Sequence, residues 1–111
     1  MLDNKRNPVS VIFHVMKEEH DRLSEAEQAY QKNISQLPRG SLRLKHIRNH
    51  NYLYLVHRDG HKVVYKYVGT PDSDKAKQIT GQIEKRKRFV RLLQDIRHDL
   101  KDVKKVLRGK I

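Results

Sequence analysis

The chain has no cysteine and no tryptophan, and only 6% of its residues carry aromatic rings. Three prolines and five glycines break it at few points. Each shortage excludes something. Without cysteine there is no disulfide and no thiolate–zinc site, and an intracellular, cytoplasmic location is expected. No apolar run approaches the roughly 20 residues of a membrane span. The stretch Met1–Arg6 precedes only a brief apolar run at Val9–Met16, without a small-residue cleavage site, so no signal peptide is read there. There is no Gly-rich phosphate loop. Acidic pairs such as Glu18-Glu19 and Asp72/Asp74 have a ready explanation in helices. A lone Tyr nucleophile needs a larger Arg/His constellation than this chain offers, and a non-enzymatic protein is expected.

What is present is charge, and it is unevenly placed. Of 111 residues 34% are charged and 36% hydrophobic, with a formal balance of +12. Residues 1–40 hold six Lys/Arg and six Asp/Glu; residues 41–111 hold the other nineteen basic and seven acidic residues. The whole excess lies in the second stretch, which also contains the Tyr-rich segment Tyr52–Tyr67. A segregated positive field beside aromatic rings suits a polyanion, nucleic acid above all. The length bounds one domain, residues 1–111, with a small core.

The few prolines and glycines act as punctuation. Asn7-Pro8 reads as a helix start, with Asn as the cap and Pro at the first helical position. Val9, Met16, Leu23, Tyr30 and Leu37 recur every seven residues, flanked by Ile12, Phe13, Ala26 and Ile34. Glu19 and Asn33 weaken the second row, and Pro38 and Gly40 end the pattern. The first helix is expected over 8–36, after a flexible 1–6. Residues 41–68 change to alternation and read as a three-stranded antiparallel meander. Asp59-Gly60 signals a tight hairpin turn, and Arg48-Asn49-His50-Asn51 a turn before it. With Asp59-Gly60 as the turn, Tyr54 pairs with Tyr65, Tyr52 with Tyr67 and Val56 with Val63. Leu44 then lies next to Leu55, and Arg43 and Lys45 join the tyrosines on what we term the Tyr face. The opposite Leu face carries Leu42, Leu44, Leu53, Leu55 and Val64, of which Leu44, Leu55 and Val64 are expected to be buried.

Gly69 ends the last strand. Thr70 or Ser73 can cap a second helix over 72–108, roughly 50 Å long. Phe89, Leu93, Ile96, Leu100, Val103 and Leu107 follow at alternating steps of four and three, a coiled-coil seam. The first helix can lie antiparallel on it, pairing Val9–Met16 with Leu100–Leu107. A second copy of the chain can serve instead, and a homodimer through the seam is expected. The fold class is α+β, in the order α-β-β-β-α, with coiled-coil-like antiparallel helical packing.

Two constellations could carry function. Tyr52, Tyr54, Tyr65 and Tyr67, with Arg43, Lys45, Arg48, Arg58 and Lys62 on or around them, suit stacking of bases beside phosphate contacts. Cross-strand aromatic pairs also stabilise sheets by themselves, each by roughly 0.2–1 kcal/mol, so a structural role stays open. The run Lys85-Arg86-Lys87-Arg88, with Arg91, suits contact with a phosphate backbone. A solvated helix face is the other reading. Of the histidines, His57 and His61 straddle the hairpin turn, His46 and His50 lie near it, and His14 and Glu18 are a turn apart. None forms a ligand pattern such as His-Glu-x-x-His, so neither metal nor other cofactor is expected.

The stretch Leu37-Pro38-Arg39-Gly40-Ser41-Leu42, followed by Tyr52-Leu53-Tyr54-Leu55-Val56 through Tyr65-Lys66-Tyr67-Val68-Gly69, resembles a small uncharacterised bacterial and archaeal family. That family has a leader helix, a Pro-x-Gly-Ser step, a Tyr-rich hairpin ending Lys-Tyr-aliphatic-Gly, and a long charged helix. The likeness covers residues 36–108. Similar hairpins occur in mobile-element proteins, including transposase and integrase arms. The resemblance implies a mobile-element or phage-defence setting; the family supplies no known activity or catalytic residues to carry over. The function expected is an accessory protein binding DNA or RNA, without membrane association. The alternative is a module docking on a larger nuclease or ribonucleoprotein through the seam.

Overall fold

A computed structural model of the protein describes residues 8–109. The flexible stretch expected at 1–6 and the Asn7 cap lie outside the described residues. The elements run α1 (Pro8–Ser35), β1 (Ser41–Ile47), β2 (His50–Asp59), β3 (Lys62–Gly69) and α2 (Asp74–Gly109). The three strands form one antiparallel sheet in the order β1-β2-β3. This is the α-β-β-β-α order expected. No helix among the described residues is long and apolar enough to cross a membrane. The chain folds as two compact units: residues up to Lys32 with those from Val90 on, and Asn33–Phe89.

The Asn33–Phe89 unit is built on the sheet. Both turns fall one residue away from the positions expected. The β1–β2 turn is Arg48-Asn49, with φ of 51° and 67°. Positive φ at both central residues makes it a type I′ turn, whose twist matches that of the strands. The second turn is Gly60-His61, because β2 ends at Asp59 and β3 starts at Lys62. There Gly60 has φ of 64° and His61 is not in the left-handed region, the pattern of a type II′ turn. The register moves accordingly. Tyr54 lies opposite Tyr67 and Val56 opposite Tyr65, not Tyr54 opposite Tyr65 or Val56 opposite Val63 as expected. Tyr52 has no direct partner on β3, since a bulge between Leu53 and Tyr54 sets Leu53 opposite Gly69. In β1, Leu42 rather than Leu44 faces Leu55. Both corrections shift the pairing by an even count, so each side chain keeps its expected face.

The Leu face is covered by the start of α2. Leu55 and Val68 pack with Ala76 and Ile83 as a buried cluster, joined by Leu42, Leu53 and Ile79. Val64 is half-buried. Leu44 is not buried as expected but 57% exposed, because the shifted register puts it opposite Leu53, nearer the β1–β2 turn. Ser73 caps α2: its Oγ accepts from Ala76 N at 3.2 Å and donates to the Thr70 carbonyl at 2.8 Å. Gly40 leads into β1 at φ 122°, and a Cβ there would meet the Val56 carbonyl oxygen at 2.5 Å. Only glycine fits that approach.

The other unit is a pair of helical segments. Leu23 of α1 is buried with Leu100 and Val103 of α2, and Met16, Ile96 and Leu107 pack around them. The segments are antiparallel, but Leu23 occupies the place opposite Leu100 that the spacing assigned to Val9–Met16. Arg97 Nε donates to Glu27 Oε2 at 3.0 Å across the pair. Arg22 grips both carboxylate oxygens of Glu19 at 2.7 Å, and this holds the Glu19 carboxyl below its ordinary range. Val11, Ile12 and Val15 of α1 stay exposed. α2 runs through Gly109, one residue past the expected 108.

Candidate nucleic-acid interface

Alternation along three paired strands brings the expected tyrosines together. His50, Tyr52, Tyr54, Tyr65 and Tyr67 form one continuous row of rings. The centroid of Tyr54 is 5.5 Å from that of Tyr67 and 6.4 Å from that of Tyr65. Tyr52 is 6.1 Å from Tyr67, and His50 extends the row at 6.3 Å from Tyr52. His50 has the same strand parity as Tyr52, and that parity was the signal available for it in the sequence. The face is open: Tyr65 and Tyr67 are 48% and 50% exposed, and Ile47 and Val63 on the same face are exposed too. Val56 is buried among them.

The cations follow the same parity. Arg43 lies opposite Tyr54 and Lys45 opposite Tyr52. Lys45 Nζ stands 4.3 Å from the ring centre of Tyr65 and 5.1 Å from that of Tyr54. A cation over two rings fixes its ammonium on the aromatic row. Arg58 lies on the Tyr face at the far end of β2, opposite Val63. Arg48 is at the tip of the β1–β2 turn. Lys62 lies opposite Asp59 and has the other parity, so it belongs to the hairpin end and not to the Tyr face. Among the described residues, Arg43, Lys45, Arg48, Arg58 and Lys62 make no ion pair. Their charge is unneutralised, in contrast to Arg22 and Arg97 of the helical unit.

The basic run of α2 does not join this surface. Ala76, Ile79 and Ile83 form the side of the helix that packs on the Leu face. At about 100° per residue, Lys85 and Arg88 fall on the opposite side, away from the sheet. Both lie near the Phe89 ring, at 5.5 and 5.9 Å from its centre. Lys87 is exposed, and Arg91 is an exposed residue of the other unit. Arg86 is half-buried. In the seam, Leu93, Leu100 and Val103 are buried and Ile96 and Leu107 half-buried, and α1 packs on Ile96, Leu100, Val103 and Leu107 in the same chain. Phe89 is half-buried in the sheet unit. Among the described residues no three His, Asp or Glu come together in a way that could hold a metal ion.

The surface offers ring faces for stacking and unpaired cations within reach of them. No family model matches the chain, and no curated protein or solved structure does.

Proposed function

We propose that this is a non-enzymatic accessory protein that binds DNA or RNA, with the Tyr face of the meander taking unpaired bases of a strand. One observation carries the reading: Lys45 lies over Tyr65 and Tyr54 within a row of rings on an open sheet face. Every base has a π-face, so such a row stacks bases with little regard to sequence, while Arg43, Lys45 and Arg48 meet the phosphates between them. Lys85, Lys87, Arg88 and Arg91 add contacts to backbone elsewhere on the strand. The motif resemblance alone supports a mobile-element or phage-defence setting.

The reading is tested by titrating a fluorescent single-stranded oligonucleotide with wild-type protein and with Tyr65→Ala, Tyr67→Ala and Lys45→Gln. Each Tyr variant should lose roughly 1–3 kcal/mol per base unstacked, while staying folded with a stability loss of about 1 kcal/mol from its cross-strand ring contact. Folded variants with unaltered affinity would remove the Tyr face from the account.

A further inference from the structure

The Leu side of the hairpin carries a second positive feature, independent of the Tyr face. A cleft of about 600 Å³ opens between the end of α1, the Leu37–Arg39 turn, β2, β3 and α2. Arg39, Lys66 and Arg86 line it, with Arg58, whose side chain belongs to the Tyr face, at its edge, against a single carboxylate, Asp59. None of these five makes an ion pair among the described residues. The Nε of Arg86 is buried with no hydrogen-bond partner among the described residues. A buried N–H of a charged group is costly to leave unpaired, and guanidinium forks are satisfied best by phosphate or carboxylate oxygens. The remaining wall is mostly apolar, from Ile34, Leu37, Pro38 and Leu55, with Ser35 and His57 beside them. The size falls within the roughly 300–1,000 Å³ of small-ligand sites.

We infer that this cleft binds an organic phosphate of nucleotide size. The phosphoryl group lies among Arg86, Arg39 and Lys66, and the flat, uncharged part of the ligand rests on Leu37, Pro38 and Leu55. Two sources offer this chemistry: a free mononucleotide, and the phosphorylated end of a strand. The inference does not rest on base stacking by the tyrosines.

The test is calorimetric titration of the full chain with AMP, adenosine, and a short oligonucleotide bearing either a 5′-phosphate or a 5′-hydroxyl. AMP should bind and adenosine should bind at least about tenfold more weakly, the worth of a charge-assisted hydrogen-bond set. If the cleft takes a strand end, the phosphorylated oligonucleotide should bind better than AMP; if it takes a free nucleotide, AMP should bind as well or better. Arg39→Gln/Lys66→Gln, at two exposed positions, should lose about tenfold for the phosphate-bearing ligand at unchanged melting temperature, and Arg86→Gln should lose more. AMP no better than adenosine together with the two oligonucleotides alike overturns the inference. So does a folded double variant that binds AMP as the wild type does. Loss of AMP binding in Arg39→Gln/Lys66→Gln reports on the cleft alone, since neither residue is on the Tyr face, so failure there leaves base stacking to its own experiment.

Discussion

Leu44 and Leu55 lie on the same face of the sheet, two strand positions out of step, and their surroundings differ accordingly. Leu55 is buried against α2, so Leu55→Ala should cost about 2–5 kcal/mol in urea unfolding. Leu44 is largely exposed, and Leu44→Ala should stay within about 0.5 kcal/mol. Gly40→Ala combines a positive φ with a backbone clash at Val56, and should cost roughly 1–3 kcal/mol in the same measurement. Glu19 gives a pH signature. Its carboxyl is held low chiefly by the hydrogen bonds from Arg22, so its contribution is present above the ordinary Glu range. It is lost as pH falls through the lowered value. Glu19→Gln should therefore lower the melting temperature at neutral pH and make no difference in strong acid.

At the scale of elements, turn chemistry decides register. Arg48 holds φ of 51° at the tip of the first hairpin, a conformation that side chains with a Cβ disfavour by roughly 1–2 kcal/mol. Arg48→Gly should therefore raise stability by about 1 kcal/mol while weakening strand binding through the lost cation. Higher melting temperature with lower affinity is the expected pair of readings. Leu100→Ala, in the buried cluster of the helical unit, should cost about 2–5 kcal/mol. The five elements, both sheet faces and the placement of Arg43, Lys45 and the four tyrosines were all legible in the sequence. Period and parity survive an error of register when the slip is even. The register itself was not legible, because Asp59-Gly60 fits a hairpin turn as well as Gly60-His61 does. Nor was the bulge at Leu53/Tyr54, which leaves no mark in the alternation. The cleft was hidden for another reason: Arg39, Lys66 and Arg86 come from three separate segments that no period connects.

At the scale of the whole molecule, the balance of +12 is divided by role. Residues 1–40 carry equal charge of both signs, and in the helical unit Arg22 and Arg97 are paired with Glu19 and Glu27. The sheet keeps its cations unpaired beside exposed rings. Such an arrangement is unfavourable for the isolated chain through self-repulsion and favourable for one that meets a polyanion. Counterion release then makes affinity depend on salt in proportion to the phosphates contacted. The most direct measurement is the affinity for a single-stranded oligonucleotide across a series of salt concentrations. The log–log slope should be about −3 or steeper, and shallower in Arg43→Gln/Lys45→Gln. Affinity that is flat between low and physiological salt, or no binding at low salt, would contradict it.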